Sequence, residues 1–74
     1  MKANAGDYVI REREDGKYDL SVITATGDRE PRGTNSPLAD LAAAADVARA
    51  GLKESGGTQV WVCYHLRPDV LMPY

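Results

Sequence analysis

Long apolar runs are missing from this chain of 74 residues, and nothing in it approaches the roughly 20 apolar residues that a membrane-spanning helix needs. The opening "MKANAGDY" lacks the apolar centre of a secretory leader. Cysteine occurs once, at Cys63, so no internal disulfide can form, which suits a reducing compartment. These absences lead to the expectation of a soluble cytoplasmic protein with no membrane partner. Histidine also occurs once, at His65, without the companions at ligand spacing that a metal site requires. A basic excess is lacking too: nine Lys and Arg stand against eleven Asp and Glu, for a formal net charge of -2. Nucleic-acid binders draw much of their affinity from neutralising phosphates, so this balance argues against that class. "GDREPRGT" holds glycines and arginines but no following GK[ST], hence no phosphate loop. No cofactor is expected.

The chain is long enough for one domain, residues 1–74. A domain of this size buries only about 60% of the surface its unfolded chain exposes, so association with another chain is a ready source of stability.

"DYVIREREDGKYDLSVIT" reads as a β-hairpin. A two-residue turn on Asp15 and Gly16 would set Glu12 against Asp19, two like charges. A three-residue loop with Gly16 left-handed shifts the register by one. Ile10 then faces Leu20, Tyr8 faces Val22, and Arg11 faces Asp19, which pairs apolar with apolar and cation with anion. Tyr8, Ile10, Tyr18, Leu20 and Val22 form the core face, and Val9, Arg11, Asp19, Ser21 and Ile23 form the other. The charged tip "REREDGK" reads as a solvated turn that discourages edge pairing.

Residues 25–35 are polar and rich in turn formers, and read as a loop or an edge strand near Arg29 to Gly33. Pro31 would confine such a strand to the sheet edge. "SPLADLAAAADVARAGLKESGG" reads as a helix, with Ser36 as N-cap, Pro37 at its first position, Asp40 near its positive end, and Gly56 or Gly57 as C-cap. Leu38, Leu41, Ala45, Ala48 and Leu52 recur at helical spacing. Gly51 predicts a frayed last turn. Thr58 to Leu66 reads as the last strand, and residues 67–74 as an apolar tail. The fold class is α+β: an antiparallel sheet of three to four strands, β-β-(β)-α-β, with one helix packed on one face.

One helix covers one face of a sheet, yet Val9, Ile23, Trp61 and Cys63 load the other. Two covers are open: the chain's own tail, placing Leu71, Met72 or Tyr74 on Trp61, or another protein chain. In the second case Trp61, Val9, Ile23, Cys63, Met72 and Tyr74 form a partner-binding surface rimmed by Arg11, Asp19 and Gln59. That suits a homodimer or an unidentified protein partner. Arg11, Arg13, Arg29 and Arg32 offer a basic edge as an alternative nucleic-acid site. Catalysis is not expected. Cys63 and His65 share a strand face, but no orienting group or oxyanion donor accompanies them. Asp40 and Asp46 are six apart and do not share a helix face.

The run "EDGKYDLSV…GTNSPLADLAAAADVARAGLKE" resembles the HicB-type antitoxin fold, a partial RNase H-like β-β-β-α-β module. Gly33, Thr34, Ser36, Leu38, Leu41 and Ala42 match its helix start, and the characteristic Pro-Asp-Leu-Pro-Gly stretch is absent. The plan is also similar to small phage anti-CRISPR proteins, which pair a "DGK"-like hairpin with an alanine-rich helix, a strand and an apolar tail. That resemblance implies a non-catalytic inhibitor that occludes a protein surface, and the first implies an antitoxin-like regulatory module.

Overall fold

A computed structural model describes residues 3–32 and 38–74. Five strands and one helix follow in chain order: β1 Tyr8–Glu12, β2 Tyr18–Ile23, β3 Arg29–Arg32, α1 Leu41–Ser55, β4 Val60–Cys63 and β5 Met72–Pro73. The sheet order is β3-β2-β1-β4-β5. The α+β class holds, and the sheet departs from expectation in two ways. It has five strands, and it is mixed, because β4 runs parallel to β1. β3 runs in the same sense as β1, since both are antiparallel to β2, and α1 carries the chain back along the sheet so that β4 sets out in that sense again.

The first hairpin takes the three-residue loop. Ile10 pairs with Leu20, Tyr8 with Val22 and Arg11 with Asp19. Gly16 has φ 84, the left-handed value the bulge requires. The Arg13 N–H donates to the Lys17 carbonyl at 2.7 Å and the Gly16 N–H to the Arg13 carbonyl at 3.1 Å. "TATGD" repeats the device: the Thr24 N–H donates to the Asp28 carbonyl and the Gly27 N–H to the Thr24 carbonyl. It leads into β3, so residues 29–32 are an edge strand. Gly33 lies outside the described residues. Pro31 sits opposite Ser21 on this outermost strand, where its missing N–H disturbs no ladder.

The helix starts later than expected. Asp40 is its N-cap, accepting from the Ala43 N–H at 2.7 Å. Ser36 and Pro37, the expected cap and first position, lie outside the described residues. Leu38 is not helical. It forms a β-bridge with Tyr18, the two backbones exchanging hydrogen bonds of 2.9 Å, while its side chain still packs on the core. Ala44, Ala45 and Ala48 lie flat on Tyr8, Ile10, Leu20, Val22, Val60 and Val62, with Leu41 and Leu52 half-buried at the ends.

Where Gly51 predicts a frayed last turn, the helix is continuous. The helix runs on to Ser55, and the Gly56 N–H closes it on the Leu52 carbonyl. Gly51 makes room for the Tyr8 ring: a Cβ at that position would run into the ring's Cζ and Oη. The loss in helix propensity is thus exchanged for aromatic packing.

Candidate functional site

The face away from the helix is closed by the chain itself. Val9, Ile23, Trp61 and Cys63 form a second core, with Ala3 and Leu71 packed on it from the two ends of the chain. Trp61 is 2% exposed. This corrects the expected contact surface. Val9, Ile23, Trp61 and Cys63 are interior, because β5 pairs with β4 and carries Leu71 over them. Met72 and Tyr74, placed with them from sequence, stay exposed. Met72 pairs with Val62 and so belongs to the helix-side face, and the Tyr74 ring lies 5.2 Å from the Arg49 guanidinium of α1.

Holding this second core together is Asp7, a residue that stands out in no motif. It is 1% exposed. Its Oδ2 accepts from the Trp61 Nε1–H at 2.9 Å and the Asn4 N–H at 2.9 Å. Its Oδ1 accepts from the N–H groups of Thr58 at 3.0 Å and Gln59 at 3.2 Å. Burial alone would raise this carboxyl's pKa. The Trp61 indole, with the backbone N–H groups of Asn4, Thr58 and Gln59, outweighs burial and holds it below the ordinary carboxylate range. One side chain therefore ties the N-terminal turn, the start of β4 and the indole. The backbones of Gly6 and Gly57 meet beside it, too close for a Cβ on Gly57, and the Ser55 Oγ–H donates to the Gly6 carbonyl at 2.6 Å. The available signal was "AGD" directly before a strand, an Asx-turn composition, but three of its four partners lie more than fifty residues away.

β4 is shorter than the expected Thr58 to Leu66. Thr58 and Gln59 donate to Asp7, and a turn begins at Tyr64, whose carbonyl accepts from the Arg67 N–H. Tyr64 and Leu66 are therefore exposed and not on the core face. Cys63 and His65 do not share a strand. The buried thiol points at the Pro68 carbonyl, 3.2 Å away, and the His65 N–H donates to Glu12 Oε1 at 3.0 Å. Among the described residues no three His, Cys, Asp or Glu side chains converge as a metal cluster.

The four arginines of the expected basic edge divide. Directly opposed strand residues share a face. Arg29 pairs with Ile23 and so lies on the Trp61 side with Arg11, whereas Arg32 pairs with Leu20 and lies on the helix side. Arg13 is occupied at the hairpin tip, 3.4 Å from both Asp15 and Asp19.

No family model, curated protein or solved structure matches the chain. Two surfaces remain as candidates. One is the segment of residues 64–74. Six large apolar side chains are exposed among the described residues, and five of them, Tyr64, Leu66, Val70, Met72 and Tyr74, fall in this segment. The other is an open cleft of about 450 Å³ where Arg11 and Arg29 meet the turn after β4. Among the described residues no helix is long and apolar enough to cross a membrane.

Proposed function

We propose that this chain is a non-catalytic protein that works by protein–protein contact through residues 64–74, in the manner of a small inhibitor that occludes a partner's surface, and that it self-associates through the same segment. The reading is carried by one observation: Leu66 is 88% exposed, in the segment that holds most of the exposed large apolar side chains among the described residues. Concentrated apolar exposure on a small protein marks an interaction surface, whereas scattered single residues do not. The anti-CRISPR-like plan, with its apolar tail, supports the same reading. The antitoxin-like and nucleic-acid alternative receives less support, since Arg32 faces away from Arg11 and Arg29.

Leu66→Asp combined with Met72→Asp tests it by solution mass. The two side chains are exposed, so the variant keeps its circular dichroism spectrum and its stability to within about 0.5 kcal/mol. Wild type is expected to grow in mass through the micromolar range and the variant to stay monomeric. A wild-type chain that remains monomeric overturns self-association. A mass increase that survives both substitutions moves the contact off this segment.

A further inference from the structure

We propose that the cleft beside Arg11 and Arg29 is a binding site for a small oxyanion, a carboxylate or phosphate group. It shares Tyr64, His65 and Pro68 with the contact segment above but rests on a different observation, the two arginines in its wall. The walls come from three separate parts of the chain: Arg11 and Glu12 from β1, Arg29 from β3, and Tyr64, His65 and Pro68 from the turn after β4. Its volume of about 450 Å³ falls within the range of small-molecule sites.

The charges of the cleft are unbalanced. Arg13 has two carboxylates, Asp15 and Asp19, within 3.4 Å. Arg11 and Arg29 make no ion pair among the described residues. Residues 1–2 and 33–37 contain no Asp or Glu that could serve them. Glu12, the one carboxylate lining the cleft, leaves it with two guanidinium charges against one, and its Oε1 accepts the His65 backbone N–H. Asp19 stands across from Arg11 in the ladder, yet its Oδ1 is turned to Arg13. Asp28, next to Arg29 in the chain, accepts the Thr26 hydroxyl. Two guanidinium forks on one side of the sheet thus have donors to spare, and that geometry matches planar or tetrahedral oxyanions better than a point charge would.

The floor fixes the cleft's shape. The Cys63 thiol bonds to the Pro68 carbonyl and holds the turn against the sheet. The Glu12 bond to the His65 N–H holds it at a second point.

Titration of the full chain with inorganic phosphate and, separately, with glutarate, at constant ionic strength, tests the assignment by NMR. The arginine Nε–H signals of Arg11 and Arg29 are expected to shift and saturate. Arg11→Ala and Arg29→Ala should each weaken binding by about tenfold or more, since each removes charge-assisted bonds. Arg11→Lys and Arg29→Lys, which keep charge but lose the fork, should weaken it too. Arg32→Ala, on the opposite face, should change nothing. Shifts that never saturate, or an equal loss in Arg32→Ala, would mean diffuse attraction by net basic side chains and would overturn the site. The separate titrations show which oxyanion is preferred. A thymidine decamer that binds far more tightly than phosphate, through Arg13 and Arg32 as well, overturns it in favour of nucleic acid.

Discussion

On one side of the sheet, Ile10, Leu20, Val22, Val60 and Val62 lie under an alanine-faced helix. On the other, Val9, Ile23, Trp61 and Cys63 lie under two lengths of irregular chain. A helix satisfies its own backbone, so it needs only small side chains at the contact to close a face. Irregular chain brings backbone N–H and C=O groups with no ladder to join, and each needs a partner if it is to lie against a core. The second face therefore contains what the first does not: a buried carboxylate accepting four N–H groups, and a thiol bonded to a carbonyl. Among the described residues no buried side-chain N or O lacks a hydrogen-bond partner. Apolar cover is tolerant of detail. Hydrogen-bonded cover depends on particular atoms and on their charge.

The largest effect should come from the second face. Trp61→Ala removes a 2%-exposed indole and frees an acceptor of Asp7, at a cost of about 4 kcal/mol, which approaches the whole stability of a domain this small. Urea unfolding measures it. A loss below about 1 kcal/mol would mean that the terminal segments do not close this face in solution.

Asp7→Asn comes next, at about 2–3 kcal/mol, because an amide cannot accept all four donors. This variant also gives the comparison its pH test. The unfolded chain takes up the Asp7 proton near the ordinary value of about 4, and the folded chain only at lower pH. The stabilisation is therefore complete above that value and is lost as pH falls through the depressed folded one. The gap in urea midpoint between wild type and Asp7→Asn should be constant from neutral pH to about pH 5 and close in stronger acid. A gap that persists there would show that the carboxylate's charge is not what holds the termini.

The smallest effect belongs to the helix face. Gly51→Ala should gain up to about 1 kcal/mol from helix propensity, but its Cβ meets the Tyr8 ring. The single change is expected to destabilise. With Tyr8→Val the same change should stabilise, and the double-mutant cycle isolates the contact. Gain in both backgrounds would show that the ring moves aside freely.

Much of the fold was legible locally. The hairpin register followed from "EDGK" and the avoidance of opposed like charges, and the second loop uses the same chemistry. Pro31 limited β3 to an edge, and the alanine stripe gave the helix its buried face. The helix start is ambiguous in sequence, since "SPLAD" holds two residues of capping type and the bridge from Leu38 to Tyr18 favours the second. The candidate sites were far less legible. Trp61 reads the same under either cover. Asp7 looks like any turn aspartate until Thr58, Gln59 and Trp61 are brought to it. Arg29 and Arg32 alternate to opposite faces once 29–32 is a strand, and only pairing says which of them lies with Arg11.

What depends on neighbours a few residues apart can be read from the residues alone: turn type, strand alternation, helical periodicity, and a sheet with two apolar faces. Tertiary structure alone decided which chain covers the second face, which carboxylate goes inside, and which cations are left without partners. The first two outcomes turn largely on contacts between residues fifty or more positions apart, which leave no spacing in the sequence from which to read them, and the third on which of two nearby arginines Asp19 turns to.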